Sequence, residues 1–150
     1  MVSPGELKAC SFFHDFPDSY LVRVTNICRE ESFHSEDYIF REGEEAQKLY
    51  ILLGGSIALQ IQLKKYHHVI VSTMEEKGEL FGWSALVEPK RYSGSVKCLE
   101  QSRVLSIRGE ELEKLFQDDP PLGLHFMKKI ASLIDQRLNV LRQRLVSSIS

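Results

Sequence analysis

The middle half of the chain alternates apolar and polar residues at every second position, and short polar or glycine-rich breaks divide it. Between residues 33 and 107, the breaks fall at Gly43, at the pair Gly54-Gly55 and at the polar stretch 64–68. Short alternating segments with glycine punctuation are typical of an all-β sandwich or barrel. The spacing therefore predicts a small β-barrel over residues 33–107.

Helical periodicity flanks this region on both sides. Over residues 17–31, Leu21, Val24, Ile27 and Cys28 fall three or four positions apart, which predicts a helix. Residues 109–147 return to the helical period, with a break at Pro120-Pro121. We therefore expect a mainly β fold with flanking helices, in a single domain over residues 1–150.

The last helix carries an apolar seam of its own. Its members alternate by four and three positions, as in a heptad pattern: Met127, Ala131, Ile134, Leu138, Leu141 and Leu145. One interpretation packs this seam onto the chain's own barrel. The seam runs further than a small barrel can cover, which favours a homodimer through the last helix.

Composition excludes several classes of protein. The chain has 150 residues and a net charge of −2, which argues against a whole-molecule nucleic-acid surface. No stretch has the length and apolar character of a membrane span or a secretory leader. The three cysteines are scattered, without a CxxC pair, so they predict reduced thiols in a cytoplasmic protein. His67 and His68 are adjacent, a spacing that favours solvated histidines over metal ligands.

The segment "GELFGWSALVEPKRYSGSV", residues 78–96, lies between the two halves of the strand region. Gly78 and Gly82 permit left-handed backbone, and "WSALV" is long enough for one or two helical turns. A glycine turn that opens a short helix leaves backbone N–H groups at the helix start. Such donors favour an anion, so we predict a loop suited to a phosphate or carboxylate.

The order of parts resembles the cyclic nucleotide-binding domain, the sensor module of catabolite-activator-type transcription regulators, cyclic-nucleotide-dependent kinases and gated channels. "IFREGEEAQKLYILLGGSIAL" is similar to the family hallmark, which is carried here by Gly43, Glu44, Ala46, Leu49, Tyr50, Leu52 and Gly55. "KGELFGWSAL" lies where the family has "G-x-x-F-G-E-x-A-L". The resemblance implies a double-stranded β-helix, or jelly roll, between an N-terminal helix and a long C-terminal helix.

The resemblance also implies a ligand cassette, formed here by Phe81, Gly82, Trp83, Ser84, Ala85, Leu86, Arg91, Tyr92 and Ser93. In the family, a glutamate after the Phe-Gly pair accepts a hydrogen bond from the ribose hydroxyl, and a later arginine pairs with the cyclic phosphate. Here Trp83 stands at the glutamate position and Tyr92 at the arginine position. The cassette therefore departs from the family pattern at both side-chain contacts.

Two questions about the cassette stay open from the sequence. Arg91 lies one residue before the arginine position, and a bulge near Pro89-Lys90 would be needed to turn it inward. Trp83 and Tyr92 either fill the space of the nucleotide or, together with Ser84, Ser93 and Ser95, line a pocket for a less charged ligand.

The resemblance predicts a non-enzymatic, regulatory ligand-sensing domain that binds cyclic AMP, cyclic GMP or a related anionic small molecule weakly or atypically. The signal would pass through the C-terminal helix to an unidentified effector protein. No cofactor is required, and no nucleic-acid-binding domain is expected in this chain. The alternative is a ligand-free dimerisation or protein-interaction module. A metal-dependent barrel enzyme is a third hypothesis, and the histidine spacing argues against it.

Overall fold

The computed structural model describes residues 2–65 and 67–149, so Tyr66, at the predicted tip between two strands, lies outside the described residues. The chain divides into two compact units, with the boundary between Lys114 and Leu115. The first unit holds the strands and the second holds the long C-terminal helix. The assignment of residues 1–150 to a single domain stays a prediction.

The first unit contains two antiparallel four-stranded sheets among the described residues. Their strands are β1 (Cys28–Phe33), β2 (Tyr38–Phe40), β3 (Lys48–Gly54), β4 (Ile57–Lys64), β5 (His67–Met74), β6 (Leu80–Phe81), β7 (Ser95–Cys98) and β8 (Ser102–Arg108). One sheet has the order β1-β8-β3-β6 and the other β2-β7-β4-β5. The predicted class, a mainly β jelly roll with flanking helices, is confirmed.

Buried apolar side chains from both sheets form one core cluster. Its members are Phe40, Ala46, Tyr50, Leu52, Ile57, Met74, Phe81, Ala85, Tyr92, Val96, Cys98 and Val104. Burial of the apolar surface of these side chains supplies the main driving force that holds the two sheets together. The cluster includes three residues of the predicted cassette, so the candidate site and the core share side chains.

The predicted helix over residues 17–31 is wrong in its second half. Helix α2 spans Asp18–Thr25, and Cys28 already begins strand β1. Residues 28–33 pair in register with β8, from Cys28 opposite Ile107 to Phe33 opposite Ser102. The pairing overrides the helical spacing of Ile27 and Cys28, and it moves the start of the barrel from residue 33 to residue 28.

A short N-terminal helix, which periodicity does not predict, precedes α2. Helix α1 spans Pro4–Lys8, and the Ser3 hydroxyl caps it by accepting the Glu6 N–H at 3.1 Å. A 3-10 turn follows, and its Phe12 N–H donates to the Gly78 carbonyl at 3.1 Å. A Cβ on Gly78 would lie 2.1 Å from the Ser11 nitrogen, so only glycine allows this close approach.

Two helices close the chain, α3 (Gly109–Asp118) and α4 (Pro120–Ile149). The break predicted at Pro120-Pro121 falls at the start of α4, where a fixed φ suits the first helical positions. Asp119 caps this start, because its Oδ1 accepts the Leu122 N–H at 3.3 Å. Helix α4 ends two residues beyond the predicted limit of residue 147.

Candidate functional site

The cassette turn begins where strand β6 ends. Phe81 pairs with Tyr50 of β3, and Gly82 then adopts φ 79°, a left-handed conformation. Trp83–Leu86 form a 3-10 turn directly after it. A Cβ on Gly82 would also lie 3.3 Å from the Phe40 and Tyr50 rings. The φ angle therefore favours glycine at this position, and the two rings leave little room for a side chain.

The turn faces the core with one residue and the surface with the others. Ala85 is buried, whereas Trp83, Ser84 and Leu86 are half-buried. The Ala85 N–H donates to the Gly82 carbonyl at 3.4 Å. The sequence predicts backbone N–H groups available to an anion at the start of this turn, but the Ala85 N–H already has a partner within the chain.

Tyr92 lies inside the barrel, with 6% of its surface exposed. Its ring stacks on Phe40, with 3.7 Å between centroids and 10° between ring planes. Its hydroxyl donates to the Lys48 carbonyl at 2.5 Å. Of the two interpretations of Tyr92, this geometry supports the one in which the ring fills space.

The stack continues from Tyr92 into neighbouring strands. Tyr50 packs on Phe40 with 6.0 Å between centroids and on Phe81 with 5.3 Å. Burial raises the pKa of Tyr92 to about 12, and it raises the pKa of Tyr50 as well. Both phenols therefore stay neutral at physiological pH. The position that would face a cyclic phosphate thus presents a neutral ring within an apolar cluster.

Arg91 points away from this cluster. Its side chain is exposed, and its Nη1 donates to the Gly43 carbonyl at 3.0 Å. Its backbone forms an antiparallel bridge with Glu45. The neighbouring Tyr92 N–H donates to the Glu44 carbonyl at 3.0 Å. Arg91 therefore contacts the turn after β2. The bulge that would direct its side chain inward is not observed.

The three serines proposed for a polar pocket have different surroundings. Ser93 is exposed and Ser84 half-buried. Ser95 is buried, and its Oγ accepts the Glu42 N–H at 2.8 Å. Ser95 therefore fixes the turn after β2, while the first two serines lie at the surface of the cassette.

Two contacts that the sequence did not indicate join the cassette to the start of α3. A Cβ on Gly109 would lie 2.7 Å from the Ala85 carbonyl oxygen, so the turn and the helix start are in close contact. Lys90 Nζ lies 2.8 Å from a Glu113 carboxylate oxygen. This hydrogen bond to Glu113 raises the pKa of Lys90. Of these two contacts, only the first could be indicated by the sequence, through the glycine at position 109. The reason for that glycine is visible only when the fold is known.

A cavity of about 460 Å³ opens beside the aromatic stack. Its walls are Phe33, Asp37, Tyr38, Ile39, Phe40, Arg41 and Glu44. Arg41 covers the Tyr38 ring, with its guanidinium carbon 4.0 Å from the centroid. The two carboxylates already accept backbone N–H groups, Asp37 from His34 and Glu44 from Arg41. Their hydrogen bonds to the chain account for their position on the wall.

The predicted dimer seam on α4 is partly buried at its start and exposed further along. Met127 is half-buried and Ala131 is exposed. The exposed fraction is 36% at Ile134, 42% at Leu138, 42% at Leu141 and 62% at Leu145. An apolar stripe of this length in water is a candidate for contact with another helix.

The described residues show neither a metal-binding cluster nor a membrane-spanning helix. Within residues 2–65 and 67–149, no group of three or more His, Cys, Asp or Glu side chains has an arrangement that could hold a metal ion. The described helices include none with the length and hydropathy needed to cross a membrane. The cysteines among these residues are unpaired thiols.

Comparison with solved structures gives the same architecture. A cyclic nucleotide-binding protein of Geobacter metallireducens GS-15 is 30% identical and superposes with a TM-score of 0.80, covering 92% of this chain and 99% of that one. The catabolite activator protein of Thermus thermophilus superposes with a TM-score of 0.74 at 22% identity, over 97% of this chain and 63% of that one. At 22% identity, the similarity to the Thermus thermophilus protein shows a shared fold only.

Sequence comparison finds similarity to regulatory proteins and to protein kinases. The anaerobic regulatory protein of Bacillus subtilis is 30% identical over 70% of this chain, which spans 44% of that protein. Human cGMP-dependent protein kinase 2 is 27% identical over 60% of this chain, which spans 12% of the kinase. The chain thus spans less than half the length of these relatives. The family model for the cyclic nucleotide-binding domain matches residues 30–119, and the chain belongs to this family of regulatory domains.

Proposed function

We propose that this chain is a non-enzymatic ligand-sensing domain that binds a cyclic nucleotide or a related anionic small molecule weakly. The observation behind the proposal is the preserved cassette backbone, with left-handed Gly82 followed by the turn Trp83–Leu86. Cyclic GMP is chosen because one relative is a cGMP-dependent protein kinase. Cyclic AMP is chosen because another relative is the cAMP-activated regulator of Pasteurella multocida, which is 24% identical over 69% of this chain. These two nucleotides are the first ligands to test.

Weak affinity follows from the side chains at the two contact positions. A bidentate arginine is the strong partner for a phosphate, and here the position holds the buried, neutral Tyr92. Charge-assisted hydrogen bonds contribute about 1.5–3 kcal/mol each. Loss of the arginine and the glutamate therefore weakens binding by about a hundredfold or more.

The signal would leave the cassette through α3. The close contact of Ala85 with Gly109 and the ion pair of Lys90 with Glu113 both connect the cassette to the first residues of this helix. A ligand that moves the cassette turn would disturb both contacts, and the helix would respond by a shift between two positions. The last helix would pass the signal on through a homodimer seam, and the effector would be another protein or domain.

A second candidate is a ligand-free interaction module. The stack of Tyr92 on Phe40 favours it, because a ring packed 3.7 Å from its neighbour leaves no room at the phosphate position unless it moves. In that case the barrel would serve as a scaffold and the α4 seam would carry the function. For either candidate we expect a cytoplasmic protein, since reduced, unpaired thiols persist in that compartment.

Calorimetry distinguishes the two candidates. The native chain and the double variant Trp83→Glu Tyr92→Arg are titrated with cyclic AMP and cyclic GMP, and melting shifts are recorded in parallel. We expect weak heat from the native chain and affinity about a hundredfold higher in the double variant, since both lost contacts return.

Tyr92→Phe is the control, because it removes the hydroxyl without adding a charge. Circular dichroism checks that the double variant is folded. If the native chain gives neither heat nor a melting shift with either nucleotide or with a set of anionic metabolites, sensing is the wrong function and the interaction module remains.

A further inference from the structure

Strand β5 lies at the edge of its sheet. It pairs with β4 from Ile57 opposite Met74 to Lys64 opposite His67, and the sheet order β2-β7-β4-β5 places no described strand on its other side. An edge strand presents backbone donors and acceptors that can pair with another chain. Natural edge strands are usually protected by charged side chains or proline.

This edge has neither kind of protection along its length, and its pairing is irregular at Val71. Residues 67–74 contain no lysine, arginine, aspartate, glutamate or proline. The exposed fraction is 43% at Val69 and 54% at Ile70, and these neighbours point to opposite faces of the sheet. Leu63, on β4 near the same hairpin end, is 68% exposed. The hairpin therefore presents apolar side chains on an open strand edge.

The charges at the two ends of β5 are opposite. Lys64 and Lys65 precede the strand, Glu75 and Glu76 follow it, and all four are exposed. In an antiparallel pair of two identical strands, the start of one strand lies opposite the end of the other. The basic end of each copy would then face the acidic end of its partner, so the edge is complementary in charge to itself.

We propose that β5 pairs edge to edge, antiparallel, with β5 of a second copy of this chain. A two-fold axis at Ile70, which then lies opposite its own copy, places Lys65 of one copy opposite Glu75 of the other, twice in the dimer. The β4–β5 register shifts twice, between Leu59 and Gln60, where Val71 is left without a partner, and between Gln62 and Lys64. This surface is distinct from the seam on α4.

A charge swap tests the pairing in solution. All variants carry Leu138→Lys and Leu141→Lys, so that association through α4 does not hide association through β5. We expect Lys65→Glu alone and Glu75→Lys alone to weaken self-association at least fivefold in sedimentation. The double swap should restore it to within twofold, because the pairs re-form with reversed sign.

A thiol placed at the axis gives an independent measurement. Ile70→Cys should form a disulfide-linked dimer under mild oxidation, since the two copies of this residue lie opposite each other at the axis. Leu99→Cys is the matched control, because Leu99 is 41% exposed and lies outside β5. The native thiols of Cys10, Cys28 and Cys98 compete little, since burial raises the pKa of each.

The results decide the proposal in either direction. Cross-linking at position 70 well above position 99, together with recovery in the double swap, supports it. A chain that stays monomeric at 100 µM in the α4-substituted form, or a double swap that associates no better than the single variants, means that β5 does not pair with itself.

Discussion

Tyr92 holds its proton more tightly in the folded protein than in the unfolded chain. Burial moves its pKa from 10.0 to about 12. A group with a raised pKa contributes its full stability below the unfolded value, and that contribution disappears as pH rises through the folded value. Tyr92 therefore predicts a loss of folding stability between about pH 10 and pH 12.

The variant Tyr92→Phe should flatten this alkaline loss. At neutral pH it should cost about 1 kcal/mol, because the hydrogen bond to the Lys48 carbonyl is gone. Tyr38→Phe is the control, since it also removes a hydroxyl hydrogen bond, to Gln60, outside the core cluster. Urea denaturation at several pH values measures both. If the free energy of unfolding falls with pH as steeply in Tyr92→Phe as in the native chain, the alkaline loss does not come from Tyr92.

Counting along the sequence placed Tyr92 at the arginine position, but the sequence could not say where its ring lies. The stack on Phe40 forms because the segment after the cassette lies against β2 and the turn that follows it. This pairing joins residues more than 40 positions apart; the Gly43 N–H, for example, donates to the Tyr92 carbonyl. The outward position of Arg91 follows from the same pairing. Alternation along a strand predicted that the two side chains face opposite ways, though not which one faces inward.

At the scale of elements, the join between the cassette turn and α3 is the most sensitive contact. Gly109→Ala would place a Cβ 2.7 Å from the Ala85 carbonyl oxygen. Crowding of this kind costs about 1–3 kcal/mol. We expect a lower urea midpoint and faster hydrogen exchange of the Trp83–Leu86 amides, because the turn or the helix start must shift.

Gly54→Ala provides the matched comparison. A Cβ at that glycine meets nothing within 4 Å, so its stability should stay within about 0.5 kcal/mol of the native chain. If both alanine variants behave alike, the contact of Ala85 with Gly109 has no energetic importance.

Alternation and glycine spacing predicted most strands and both C-terminal helices, because those patterns are local. The error over residues 26–31 has a physical reason, since pairing with β8 holds Cys28–Phe33 in a strand where the apolar spacing also suits a helix. Helix α1 has five residues, too few to establish a helical period. The open edge of β5 depends on the order of strands in the sheet, which no local pattern contains.

At the scale of the whole molecule, assembly through α4 can be tested directly. Leu138 and Leu141 are each 42% exposed and belong to the heptad seam. Leu138→Lys with Leu141→Lys places four charges at the centre of a dimer seam, so association through α4 should be lost at tens of micromolar, and the association that remains is that through β5.

Gln136→Lys is the control for this experiment, because it adds a charge to an exposed position on the opposite face of the same helix. It should leave the mass unchanged. A native mass equal to one chain at the same concentration would contradict a dimer through α4, whatever the variants do.

Trp83, half-buried at the first position of the cassette turn, is the sole tryptophan of the chain. Excitation near 295 nm therefore reports from this turn alone, without a label. Any ligand that reaches the cassette changes the solvent around one indole and shifts its emission. The protein thus carries its own optical probe in the turn where a ligand would bind.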